Sequence, residues 1–144
     1  MDQIFSYCHR IQYYETDGMH IVHHSNYIRW MEEARVDMME KMGYGYDCME
    51  RDGVSIPVTG VTCRYKAMMR FGQTCRIDVR ITAVSPVRIS VVYEFHDAET
   101  GHLCGEGTSD HCFVGANGRP LSLKKKLPEV YELFCSTRSQ PETP

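Results

Sequence analysis

The segment 26–42 constrains the fold more than any other. Tyr27, Trp30, Met31, Ala34, Met38 and Met42 recur at spacings of three and four, which draws one apolar stripe down a helix. Arg29, Glu32, Glu33, Asp37, Glu40 and Lys41 fall largely off that stripe. A stripe so rich in Met, Tyr and Trp has to be covered by another layer, as for a helix held in the concave side of a curled sheet. Ser25 or Asn26 offers an N-cap, and Gly43 stands where a left-handed residue ends a helix.

Elsewhere the period drops to two. Residues 4–14 place Phe5, Tyr7, His9, Ile11 and Tyr13 on one face and Ser6, Arg10 and Gln12 on the other, the pattern of a strand. Val54–Arg70 is one long strand or two short ones, interrupted at Pro57 and Gly60. Arg76–Val84 and Val87–His96 alternate strictly, Asp97–Gly101 reads as a hairpin loop, and Leu103–Val114 is the last long strand. A short helix is expected around Tyr46–Arg51, and a terminal one from Pro128 after the basic triplet Lys124–Lys126. The order predicts an α+β fold in which an antiparallel five-stranded sheet wraps a long central helix. It forms a single domain over residues 1–135, and the polar segment 136–144 with its two prolines reads as a flexible tail.

Composition narrows the setting. The chain has 144 residues and a net charge of −3, so it carries no broad basic footprint for nucleic acid. No run approaches the ~18–20 apolar residues of a membrane helix, and the start lacks the pattern of a secretory signal. The seven cysteines are odd in number, irregular in spacing and without Cys-x-x-Cys. They read as reduced thiols in a cytoplasm rather than a disulfide framework.

Chemistry concentrates in Tyr14–Tyr27, which sets Asp17 one short loop before a helix start. A helix N-terminus presents free N–H groups and a positive dipole end, able to hold a carbonyl oxygen that becomes an oxyanion. A carboxylate beside it can act as nucleophile or as general base on water. An Asp before Gly is also a common turn former. His20, His23 and His24 fall in a loop without the helical His-x-x-x-His spacing of zinc enzymes, so no metal is expected. His102, Cys104, His111 and Cys112 share one hairpin strand, but His111 and Cys112 point to opposite faces. No cysteine sits in a glycine-flanked elbow, and no glycine-rich loop cradles a nucleotide phosphate.

The block Tyr14-x-Thr16-Asp17-x-Met19-x-x-Val22-x-His24-x-Asn26-Tyr27-x-Arg29-Trp30-x-Glu32-x-Ala34-Arg35 resembles the active-site loop and central helix of the 4-hydroxybenzoyl-CoA thioesterase-like family of hotdog-fold acyl-CoA thioesterases. Arg64–Gly72, and Gly118-Arg119-Pro120 leading to Leu127-Pro128, extend the likeness over about residues 5 to 130. Met68-Met69-Arg70 stands where the family often has Pro-Ala-Arg, and Gln73 where it often has Asp.

The resemblance implies an acyl-CoA or acyl carrier protein thioesterase working as a homodimer or homotetramer, with sites at the dimer interface and no cofactor beyond the coenzyme A of the substrate. It implies Asp17 as the catalytic carboxylate and His24 as the residue whose N–H polarises the thioester carbonyl. Tyr14, His23, Tyr27 and Met31 are the expected pocket residues, and Arg70, Arg88 and Lys124 the expected contacts to coenzyme A. A hotdog dehydratase or hydratase and a non-enzymatic acyl-CoA-binding domain are the alternative readings.

Overall fold

A computed structural model describes residues 3–138. In chain order the elements are β1 (Phe5–Arg10), α1 (Ser25–Lys41), α2 (Tyr46–Arg51), β2 (Val54–Ser55), β3 (Val58–Tyr65), β4 (Thr74–Val84), β5 (Arg88–Asp97), β6 (Leu103–Cys112), β7 (Val114–Gly115), α3 (Leu123–Lys126) and α4 (Pro128–Thr137). Five strands form one antiparallel sheet in the order β1-β4-β5-β6-β3, while β2 and β7 make a separate two-stranded ladder. The strictly alternating segments make the sheet's centre. Ile77 pairs with Phe95, Val79 with Tyr93 and Ile81 with Val91, and all six are buried toward the helix.

The helix packs against β1 and β4, and two of its side chains reach across to β6 at glycine positions. A Cβ on Gly105 would lie 2.9 Å from the Arg64 carbonyl and 3.8 Å from the Tyr27 ring, and one on Gly107 would lie 2.0 Å from Met31 Cε. These glycines give up side chains so that Tyr27 and Met31 can approach the sheet. One turn on, α1 presents Arg35. It is buried and makes no ion pair among the described residues, and its Nε and Nη1 donate to the Tyr46 and Tyr93 hydroxyls at 2.9 and 3.0 Å. Tyr93, Ser109 and His111 continue the polar chain at 2.7 and 2.8 Å, and His111 Nδ1 donates to the Ile56 carbonyl at 3.0 Å. Every member of this buried chain has a partner, the condition under which polar groups are tolerated in a core.

Local chemistry explains the ends of the elements. Gly43 has φ +89°, its N–H bonds to Glu40 O and the Tyr44 N–H bonds to Met39 O, which is a Schellman closure. At the other end neither Ser25 nor Asn26 caps α1. Instead the His23 imidazole Nδ1 accepts the Ser25 N–H at 3.2 Å. The strand expected over 4–14 stops at Arg10, because Gln12 and Glu15 turn the chain into a single 3₁₀ turn at Tyr13–Glu15. Ile11 stays buried, but Tyr13 is 71% exposed. The expected interruption at Pro57 and Gly60 is present as the gap between β2 and β3 and a register shift between Val58 and Gly60. The terminal helix runs through Thr137, which is buried, two residues past the expected domain boundary at 135. The rest of the expected tail, residues 139–144, lies outside the described residues. No helix among the described residues is long and apolar enough to cross a membrane.

Candidate active site

Between β1 and α1 the chain makes a closed hairpin-like loop. The His23 N–H donates to Glu15 O at 2.8 Å, Thr16 and Val22 form an antiparallel bridge, and the Asp17 N–H donates to Ile21 O at 2.9 Å. The His20 N–H returns to Asp17 O at 2.9 Å, with His20 in the left-handed region at φ 64°. Few non-glycine residues adopt that conformation, and the tight tip requires it. Asp17 therefore sits at the tip of a braced loop. Its Oδ1 accepts the Met19 N–H at 2.8 Å, and Oδ2 has no partner among the described residues. One oxygen orients the carboxylate and the other stays free to react.

Asp17 and His24 line the same cleft of about 320 Å³, with Tyr27, Tyr65, Met68 and Met69 among its walls. At the start of α1 the backbone donors are almost all claimed. The Ser25 N–H goes to the His23 ring, Asn26 N–H to His23 O and Tyr27 N–H to His24 O. The His24 N–H meets no acceptor among the described residues. Two residues of the cleft wall thus carry unclaimed groups, Asp17 a carboxylate oxygen and His24 a helix-start N–H, the kinds of group that acyl transfer to water requires. Burial, then the neighbouring Cys75, pushes the Tyr27 phenol up. Burial, then the neighbouring Cys63, takes the Tyr65 phenol up to about 12. Both rings stay protonated at neutral pH, and Tyr65 Oη donates to His24 O at 3.2 Å. Tyr65 thereby holds the His24 carbonyl at the start of α1, beside the cleft.

The other expected site residues are placed less uniformly. His23 is exposed, caps α1 and stacks on His24 with ring centroids 4.2 Å apart. Tyr14 is 82% exposed on the 3₁₀ turn and is not a cleft wall. Met31 lies one turn below Tyr27, in the core over Gly107. Arg70 is not a cleft wall but flanks it, next in sequence to Met69, with Nη1 3.5 Å from His20 O. Arg88 and Lys124 are remote from it. Arg88 pairs with Cys112 at the far end of β5, seven residues from the Phe95–Gly105 pair, and α3 is tied to that same end by Leu123 N–H to Pro86 O. At ~3.3 Å per residue that is ~23 Å along the strand. No group of three metal-binding side chains occurs among the described residues. Sequence reasoning missed Tyr65, Met68 and Met69 as walls, although Arg64–Gly72 carried part of the family likeness. It also missed Glu15, whose carbonyl closes the loop.

A profile of the thioesterase-like superfamily matches residues 11–134. The chain belongs to this superfamily. Among curated relatives of the thioesterase-like chain, the Bacillus subtilis protein YneP bears the name of an acyl-CoA thioesterase. It is 31% identical over 125 residues, covering 86% of this chain and 90% of that protein. The acyl-CoA thioester hydrolase YbgC of Escherichia coli O157:H7 is 24% identical over 124 residues, covering 86% and 92%. The fold matches a DHNA-CoA thioesterase from Staphylococcus aureus with a TM-score of 0.88 at 27% identity, covering 92% of this chain and 89% of that one. A sheet curled around one long helix is the hotdog architecture that the sequence motifs implied.

Proposed function

We propose that this thioesterase-like protein is a thioester hydrolase that cleaves an acyl-CoA to free acid and thiol, with Asp17 as the reacting carboxylate and the His24 N–H as oxyanion donor. The observation that carries the proposal is that Asp17, with an unpartnered Oδ2, and His24, with an unclaimed N–H, line one cleft. The thioester carbonyl seats over the start of α1, where the N–H and the positive end of the helix dipole stabilise the charge gained on oxygen. Asp17 attacks the carbonyl carbon and expels the thiolate, leaving a mixed anhydride for water to open. Alternatively it takes a proton from water, and the resulting hydroxide expels the thiolate. The products are the same acid and thiol by either route, and the released thiolate takes up a proton. The names of YneP, YbgC and the staphylococcal enzyme support coenzyme A as the carrier. An acyl carrier protein thioester presents the same phosphopantetheine arm.

Lys66, which lines the cleft, and Arg70, which flanks it, are the basic residues near enough to meet the coenzyme A phosphates from within the chain. Arg88 and Lys124 reach a cleft only from another copy, which accords with a homodimer or a homotetramer built from such dimers. Of the two edge strands, β1 and β3, the edge of β3 exposes Val58, Val61 and Tyr65 at 41 to 50% and is the one we assign to pairing of sheets. All seven cysteines are free, which suits a reducing cytoplasm. The test is thiol release from a panel of acyl-CoA esters by wild type and Asp17→Asn. Wild type should turn over at least one acyl class, and the folded variant should lose activity by orders of magnitude. A wild type that binds acyl-CoA without hydrolysing it would sink the reading.

A further inference from the structure

Asp17 and the helix start belong to different segments, and their separation has to be held by something. Glu15 connects them. Its carboxylate is buried at 5% exposure, two residues before Asp17. Oε1 accepts from the Gln12 N–H at 2.8 Å and lies 2.8 Å from His9 Nε2 on β1. Oε2 accepts the Trp30 indole N–H at 2.7 Å from α1. His9 is itself braced from its other nitrogen by Glu33 at 2.9 Å and lies against the Trp30 ring at 4.8 Å. The Glu15 carbonyl takes two further bonds, from the His23 N–H and from Asn26 Nδ2, both at 2.8 Å. Burial raises the affinity of this carboxyl for a proton, but His9, the Gln12 N–H and Trp30 together hold it below the usual carboxylate range.

We propose that Glu15 is a positioning residue: its side chain locks the root of the Asp17 loop to α1, and its carbonyl locks the same root to the residues flanking His24, so that Asp17 and the His24 N–H face one thioester at a fixed separation. The proposal rests on the hydrolase reading above. Glu15 does not line the cleft and touches no substrate. It acts through geometry, and a displacement of ~1 Å between reacting groups costs about 100-fold in rate.

The isosteric Glu15→Gln variant tests it. If the amide oxygen keeps the Gln12 and His9 contacts, the amide NH₂ is turned against the Trp30 indole N–H, and two donors face each other. The expected result is a kcat lowered by about 10- to 100-fold with KM within about threefold, since positioning and not binding is lost. Trp30→Phe in the same chain removes the opposing donor and should recover several-fold of that kcat. A role in stability alone would lower the melting temperature without this split or this rescue. Where Glu15→Gln does not fold, Trp30→Phe alone decides, and a kcat unchanged within twofold overturns the proposal. It is equally overturned if folded Glu15→Gln keeps kcat within twofold while Asp17→Asn abolishes turnover. Turnover that survives Asp17→Asn would instead remove the hydrolase assignment of Asp17, whatever Glu15 does.

Discussion

Replacing His24 by proline deletes its backbone N–H together with an imidazole that stacks on His23 and meets the Tyr65 ring edge-on. His24 sits at φ −56°, ψ −29°, inside the range the pyrrolidine ring imposes, and proline is well tolerated where a helix begins. The His24 N–H has no protein acceptor among the described residues, so no internal hydrogen bond is lost. The His24 carbonyl, which accepts from the Tyr27 N–H at 3.3 Å and the Tyr65 hydroxyl at 3.2 Å, is retained. His23 lies outside the helix on the return of the loop, with its N–H on Glu15 O, and a residue before a helix can take the extended conformation that a following proline requires. Stability should hold or rise by up to ~1 kcal/mol, because a compatible proline restricts the unfolded chain. Catalysis should fall by about 10²–10³ in kcat, or ~2.7–4 kcal/mol, the loss typical of one oxyanion donor. His24→Ala is the control, since it keeps the N–H and removes the imidazole. Steady-state thiol release and thermal unfolding, run on both variants, read out the two effects. A folded His24→Pro with kcat within about threefold of wild type refutes the oxyanion assignment. An equal loss in His24→Ala would move the role from the backbone to the ring.

The seat of α1 gives a second expectation. Gly107→Ala would set a Cβ 2.0 Å from Met31 Cε and 3.2 Å from Thr62 O, so Met31 must leave its place, at a cost of about 1–3 kcal/mol. Combined with Met31→Ala the penalty should be less than additive, which urea midpoints at one protein concentration will show. A third concerns pH. Burial, reinforced by Arg35 and opposed by the bond to Ile56 O, holds the His111 pKa below its ordinary value of 6.5. The folded state keeps His111 neutral while the unfolded chain takes up a proton, so stability is full above about pH 6.5 and declines as pH falls below it. His111→Gln should flatten the His111 part of that decline between pH 7 and 5. An unchanged slope in melting temperature against pH would exclude His111 as a source.

The parts of this fold that the sequence announces are those whose signal is local. The apolar stripe of α1, the alternation of β4 and β5, the left-handed Gly43 and the short α2 each follow from neighbours within a few residues. The parts it conceals depend on who meets whom across the sheet. Glu15 reads as one more acid beside Asp17, and nothing nearby reveals that β1 brings His9 and α1 brings Trp30 to its two oxygens. Tyr27 and Met31 belong to one stripe, yet only the upper one reaches the cleft, because Gly107 admits the lower one into the core. Arg35 looks like the polar flank of an amphipathic helix. It becomes a core residue because Tyr46 and Tyr93, far apart in the chain, supply the oxygens that make its burial tolerable. Arg70, Arg88 and Lys124 were equivalent as charges. The strand order β1-β4-β5-β6-β3 separates them, leaving Arg70 beside the cleft and sending the other two to the opposite end. Asp17, the carboxylate proposed to react, is legible because its loop and the helix start are contiguous in sequence. The residue that fixes their spacing is not, since its partners come from β1 and from the middle of α1. Activity in this fold should therefore be sensitive to substitutions at His9 and Trp30, neither of which lines the cleft.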